Sequence, residues 1–219
     1  MSSFITVGEE HRIEYIIEKS RFIATAIPCT TEAEAQTAIA RINKEFWDAT
    51  HNCTAYALGP SQEQQRSSDN GEPSGTAGKP MLEVLKKTGI TNTLIVVTRY
   101  FGGIKLGAGG LIRAYSHSAA EVIKTAPKVL HTLRQIVEVT VDYSLYNTLG
   151  RYLEEQNYQF STAFTDKVTL EIYVDPKDLD TLRTTVENMS SGQAGWNELD
   201  EQMVAIPLTG DTGDTETLE

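Results

Sequence analysis

The chain has 219 residues, 40% of them hydrophobic and 22% charged, and its formal net charge is −11. This length suits two globular domains of about 100 residues, each able to bury a core. Residues 1–20 contain six charged side chains and no long apolar run, which argues against a signal peptide or a membrane span. We therefore expect a cytoplasmic protein that makes no membrane contact.

The negative charge is confined to one half of the sequence. Residues 1–126 hold 13 basic and 13 acidic side chains, whereas residues 127–219 hold 6 and 17. A neutral first half can meet a polyanion such as RNA, while the acidic second half is a poor candidate for that role.

The first elements in chain order are two strands and a helix. Alternating apolar residues between 12 and 27 predict two strands joined near residues 18–21. Thr30 or Thr31 then caps a helix whose apolar residues recur three and four positions apart. A further strand is expected over residues 52–58.

The middle of the chain contains a long polar stretch. Residues 61–80 are rich in turn-forming side chains, so we expect no regular structure before a helix from Gly78 to Lys87 that Gly89 closes. An apolar strand over residues 93–98 and an amphipathic helix that ends at Pro127 complete this half.

The second half has the strand and helix order of a ferredoxin-like plait, β-α-β-β-α-β. The expected elements are a strand over 136–143, a helix over 144–157, strands over 160–164 and 167–174, a helix over 176–188 and a strand over 202–208. The fold class is therefore α+β. We expect domains at residues 1–126 and 134–208, followed by an acidic flexible tail at 209–219.

A glycine-rich basic segment connects the apolar strand to the long helix. Five glycines within residues 102–110 suit positive φ angles or close approach of another group to the backbone. Amides at a helix start beside cations favour an anion such as phosphate. The candidate phosphate-binding residues are Arg99, Gly102, Gly103, Lys105, Gly107, Gly109, Gly110 and Arg113. A turn that uses glycine only for tight packing is the alternative.

The second half of the polar stretch forms a second candidate loop. It contributes Asp69, Gly71, Glu72, Gly75, Thr76 and Lys79. A phosphate-binding P-loop is excluded because Pro73 stands where the motif needs its first glycine and Pro80 stands where it needs Ser or Thr.

His51 and Cys53 lie on one face of a strand, where a thiol nucleophile with a histidine base is chemically possible. No residue pattern lowers the pKa of Cys53, and packing is the simpler role. Neither a metal site nor a disulfide framework is expected, since Cys29 and Cys53 lack ligand spacing and are too few.

Four motifs together resemble the IMPACT family, whose bacterial members include the YigZ/YvyE group. They are KSRF at 19–22, HNC at 51–53, DNGEPSGTAGKP at 69–80 and RYFGGIKLGAGGL at 99–111. The resemblance covers about residues 1–125, and it adds Arg21 to the candidate site residues. The second half is similar to the additional C-terminal domain of the bacterial members.

The resemblance implies an N-terminal fold like domain 2 of ribosomal protein S5, a sheet with helices on one face, and a C-terminal plait like a late domain of elongation factor G. It also implies a role in translation without an established reaction. We expect a regulatory protein that binds RNA or a ribosome-associated protein through its first domain, without cofactor, metal, catalytic residue or DNA sequence specificity. One alternative is a small-molecule enzyme that acts on a phosphorylated ligand in the cleft at the two candidate loops, with Asp69, Glu72 or His51 as acid or base. The other is a protein–protein adaptor.

Overall fold

The computed structural model describes residues 3–208, which contain ten strands and five α-helices. The strands are β1 (Ser3–Val7), β2 (His11–Ile17), β3 (Ser20–Pro28), β4 (His51–Leu58), β5 (Gln64–Ser68), β6 (Thr93–Tyr100), β7 (Lys128–Val141), β8 (Gln159–Phe164), β9 (Val168–Val174) and β10 (Gly195–Leu208). The helices are α1 (Glu32–Glu45), α2 (Gly78–Thr88), α3 (Gly107–Thr125), α4 (Tyr143–Glu155) and α5 (Leu179–Ser190). Two compact units are present, one of residues 3–131 with 205–208 and one of residues 132–204.

The first unit contains an antiparallel sheet with the strand order β2-β3-β6-β4-β5. The expected hairpin is formed by β2 and β3, and its turn residues Glu18 and Lys19 have φ of 46° and 62°. The expected helix cap is also present, since the Thr31 hydroxyl accepts a hydrogen bond from the Glu34 amide.

Helices cover both faces of this sheet, which corrects the expected arrangement with helices on one face. Successive residues of β6 point to opposite faces. Leu94 and Val96 pack in the cluster that contains α1, whereas Ile95 and Val97 pack in the cluster that contains α2 and α3. The fully apolar strand sequence fits this burial on two sides.

The polar stretch over residues 61–80 contains one element that its composition hid. Strand β5 pairs antiparallel with β4 at the edge of the sheet, and all five of its residues are exposed. A polar edge strand has no apolar face to signal it, so the expectation of irregular structure was wrong at residues 64–68.

The second unit is a ferredoxin-like plait, and the α+β class with two domains is confirmed. Its strands lie in the order β10-β7-β9-β8, and a cluster of apolar residues from the sheet packs against α4 and α5. Buried residues alternate along β9, as expected for a sheet covered by helices on one face.

Two strands begin earlier than expected because both are long. β7 begins at Lys128, within the stretch expected to link the halves, and β10 begins at Gly195 rather than at residue 202. The division falls between His131 and Thr132. β1 was not expected, and the proposed tail at 209–219 lies outside the described residues.

Candidate functional site

The glycine-rich segment separates a buried strand from a helix with one buried face. Strand β6 ends at Tyr100 and α3 begins at Gly107, so Gly107, Gly109 and Gly110 form the first turn of the helix. The connecting residues are therefore fewer than the sequence suggested.

Three of the glycines are required for different reasons. Gly103 and Gly107 have φ of 86° and 70°, a region that side chains with a Cβ rarely occupy. A Cβ on Gly102 would lie 1.9 Å from the Lys19 carbonyl oxygen, so the hairpin turn packs directly on this glycine. Gly109 has no positive φ, and it is not needed for backbone conformation.

The start of α3 is open to an anion. No side chain caps it, its first turn has no acidic residue, and Gly107 and Gly109 are exposed. The first amides of a helix lack intrahelical acceptors and lie at the positive end of its dipole. A Cβ on Gly109 would lie 3.6 Å from Arg113 Nη1, so the guanidinium lies beside the first turn of the helix.

Two cations accompany the open amides. Lys105 and Arg113 are both exposed, and neither forms an ion pair with any residue between 3 and 208. We call Lys105, residues 107–110 and Arg113 the α3 N-terminal surface. It combines backbone N–H donors with exposed, positively charged side chains, the combination that binds phosphate in proteins.

The start of α2 is closed by Asp69. Its carboxylate accepts hydrogen bonds from the amides of Gly75, Ala77 and Gly78 at 2.7, 3.0 and 2.8 Å. Burial alone would raise the pKa of Asp69, but these amide hydrogen bonds outweigh it and lower the pKa. Asp69 therefore holds the second loop, and its carboxylate is not available to a ligand.

A buried ion pair joins the two candidate loops. Arg99 is 5% exposed and Glu72 is 7% exposed. Glu72 Oε1 accepts from Arg99 Nη1 at 2.7 Å and from the Tyr115 hydroxyl at 2.8 Å. Arg99 Nη2 also donates to the Ser20 hydroxyl. The expectation that Arg99 is a surface ligand for phosphate is corrected, because its guanidinium is paired inside the unit.

His51 and Cys53 lie beside this pair. His51 Nδ1 lies 2.8 Å from the Asn70 carbonyl oxygen, so this nitrogen carries the proton. His51 Nε2 lies 3.7 Å from Glu72 Oε2, too far for a hydrogen bond. The Cys53 thiol donates to the Asp69 carbonyl, and burial raises its pKa to about 12. A thiol with this pKa is not a nucleophile at neutral pH.

The other candidates divide into buried and exposed residues. Thr76 is buried and donates to the Pro73 carbonyl, while Gly71 and Gly75 have φ of 86° and 77° in the turns of the loop. Arg21 is exposed but forms two hydrogen bonds with Glu14. Lys79 is exposed.

Two grooves flank the first half of α3. One lies between α3 and α2, and Lys79, Val84, Lys87 and Ile112 line it. The other lies between α3 and the β2–β3 hairpin. Its lining includes Ile17, Glu18, Ile104, Leu106 and His117, together with Lys105 and Arg113.

Only the family resemblance, through Arg21, connects the hairpin to this site in the sequence. The Glu-Lys pair at its turn is not a common left-handed turn sequence, so no local signal places Glu18 next to α3. Ile104 is an apolar residue within a basic segment, a weak indication in the sequence that it contacts a ligand. In the structure it is 38% exposed.

The described residues offer no metal site and no membrane helix. Between residues 3 and 208, no group of three His, Cys, Asp or Glu side chains is placed to hold a metal ion. None of the five α-helices in this range is long and apolar enough to cross a membrane.

Comparison with known proteins gives the family. Residues 18–123 match the Impact N-terminal domain, and residues 139–193 match a domain of unknown function, DUF1949. The chain is 42% identical over 199 residues to the IMPACT family member YvyE of Bacillus subtilis, a match that covers 90% of this chain and 92% of that protein. The chain belongs to the IMPACT family.

Further relatives agree with this assignment. The Escherichia coli IMPACT family member YigZ is 44% identical over 123 residues, which are 55% of this chain and 57% of YigZ. A crystal structure described as that of a hypothetical protein aligns with a TM-score of 0.59 at 26% identity, covering 92% of this chain and all of that one. The resemblance drawn from the four IMPACT motifs is thereby confirmed.

Proposed function

We propose that this IMPACT family member is a translation-associated regulatory protein that binds single-stranded RNA through the α3 N-terminal surface. The observation that carries the proposal is the uncapped start of α3 with the Arg113 guanidinium beside its first turn. The connection to translation comes from the family resemblance, and RNA on the ribosome is the target that this connection favours.

The chemistry of the surface fits a phosphate backbone. Amide donors and the side chains of Lys105 and Arg113 position phosphate oxygens without reading bases. Phe101, which is 47% exposed, and Ile104 precede Lys105 in the same segment and present apolar surface beside the charges. Aromatic and apolar groups near cations suit unpaired bases, which a duplex would hide.

The same geometry leaves three of the four candidate catalytic groups unavailable to a ligand. Of the groups considered for acid–base or nucleophilic chemistry, Asp69 is saturated by three amides and Glu72 is occupied by Arg99 and Tyr115. Cys53 is protonated at neutral pH. A catalytic group needs a pKa matched to its task, and neither carboxylate nor the thiol is free to exchange a proton with a ligand.

The test is a salt titration of RNA binding by the full chain. Fluorescence anisotropy of a labelled single-stranded 12-mer is measured for the wild type, Lys105→Ala, Arg113→Ala and Lys44→Ala. Lys44 is an exposed lysine near the end of α1, on the opposite face of the sheet, and serves as the matched control.

We expect Lys105→Ala and Arg113→Ala each to lower the slope of log affinity against log salt by about 0.7. Lys44→Ala should leave the slope unchanged. If the wild type does not bind RNA at low salt, or if the control loses as much as the site variants, the RNA proposal is wrong. Co-sedimentation with ribosomal particles in that case would favour a protein target.

A further inference from the structure

The groove between α3 and the β2–β3 hairpin is lined by apolar side chains as well as charged ones. It has a volume of about 490 Å³, and its lining places Ile17, Ile104 and Leu106 among polar residues. Ile104 keeps 38% of its surface exposed. The groove therefore combines apolar walls with the cations Lys105 and Arg113, the mixture that ligand-binding clefts use.

We propose that this groove holds one unstacked RNA base, whose adjoining phosphate lies on the α3 N-terminal surface. The inference rests on the proposed RNA-binding function and deepens it. Lys105 and Arg113 line the groove and also belong to that surface, so a base and its own phosphate can occupy neighbouring positions. A base has apolar faces and polar edges, which matches apolar walls with a polar rim.

Glu18 supplies the polar group that can read the edge of the base. It lines the groove, and it forms no ion pair with the other residues between 3 and 208. An ionised carboxylate only accepts hydrogen bonds, so it pairs with the exocyclic amino group of cytosine, adenine or guanine. Uracil carries a carbonyl oxygen where cytosine carries its amino group, so a carboxylate that faces this position disfavours uracil.

The backbone around Glu18 is held in place before any ligand arrives. Glu18 and Lys19 both occupy the left-handed region, with φ of 46° and 62°. The Lys19 carbonyl packs against Gly102, and the Gly102 amide donates to the Ser20 hydroxyl at 3.3 Å. The hairpin turn is thus fixed against the segment that carries Ile104, and little ordering is needed on binding.

The test uses RNAs of equal charge and length. The full chain is titrated with three 12-mers: oligocytidine, oligouridine, and an abasic oligomer that has the same sugar–phosphate backbone but no bases. We expect the cytidine oligomer to bind about fivefold more tightly than the uridine oligomer, and about tenfold more tightly than the abasic one.

Two variants assign these differences to the groove. Glu18→Gln should bring the cytidine-to-uridine ratio close to one, because an amide can pair with either base. Ile104→Ala should reduce the difference in affinity between the cytidine oligomer and the abasic oligomer. The matched control is Ile16→Ala, since Ile16 lies on the other face of β2 and is 74% exposed.

The outcomes separate the two proposals. Equal affinity for all three oligomers, with a salt slope that Lys105→Ala lowers, overturns the base site and leaves RNA binding standing. No binding of any oligomer overturns the proposed function itself. A cytidine preference that survives Glu18→Gln shows that another residue reads the base and refutes the role of Glu18.

Discussion

Removing the carboxylate of Glu72 should unfold the first unit far more easily than removing an exposed carboxylate. In Glu72→Ala, the Arg99 charge stays buried and loses its only ionic partner among residues 3–208. Breaking a buried pair from one side costs about 3–5 kcal/mol. Two unit charges 4 Å apart at an effective dielectric constant of 20 give about 4 kcal/mol, which agrees.

The measurement is native-state hydrogen exchange of the β6 amides, which lie in the centre of the first sheet and so report on this unit alone. A loss of about 3–5 kcal/mol corresponds to exchange faster by about two to four powers of ten. The control is Glu14→Ala, which breaks the exposed pair with Arg21 in the same sheet. That pair should contribute less than about 1 kcal/mol.

A double variant distinguishes the stranded charge from lost packing. Replacing the pair with apolar side chains, as in Arg99→Met with Glu72→Leu, removes both charges at once. Because apolar replacement of buried pairs is often neutral, the double variant should be more stable than Glu72→Ala alone. If Glu72→Ala costs no more than Glu14→Ala, or if the double variant is the least stable, the reasoning is refuted.

Three smaller predictions concern groups that hold the site. Asp69→Asn should destabilise the first unit by about 1–2 kcal/mol at pH 7, as measured by urea unfolding. Because the pKa of Asp69 is lowered in the folded state, the difference in unfolding free energy between wild type and variant should disappear as the pH falls below that pKa. Cys53 should resist iodoacetamide at pH 8 in the folded chain, since its pKa is about 12, and rapid labelling without unfolding would contradict this. Gly102→Ala should lower the melting temperature because its Cβ would overlap the Lys19 carbonyl, whereas Gly109→Ala should be neutral or stabilising by up to about 1 kcal/mol.

Local signals in the sequence were sufficient where the causes of structure are local. Thr31 caps α1 and Gly89 closes α2 in the left-handed conformation, and both features depend on residues within one helical turn. The order of elements in the second unit also followed from periodicity, because each strand and helix buries one face.

The sequence could not separate exposed cations from buried ones. Arg99, Lys105 and Arg113 belong to one basic segment, yet only Arg99 meets a carboxylate, and that carboxylate lies 27 residues earlier in the chain. Spacing along the chain carries no information about such a long-range pair. The groove beside Glu18 was missed for the same reason, since it forms only when the hairpin turn packs on Gly102.

The buried network joins the second loop, the end of β6 and helix α3. Glu72 joins the second loop to Arg99 at the end of β6 and to Tyr115 in α3, so one carboxylate fixes three segments relative to each other. Because a phosphate-binding surface gains affinity when its donors need no rearrangement, this fixed position favours binding at the start of α3. The motif residues therefore divide in two. Asp69, Glu72 and Arg99 hold the backbone, and our proposal assigns contact with RNA to Lys105 and Arg113.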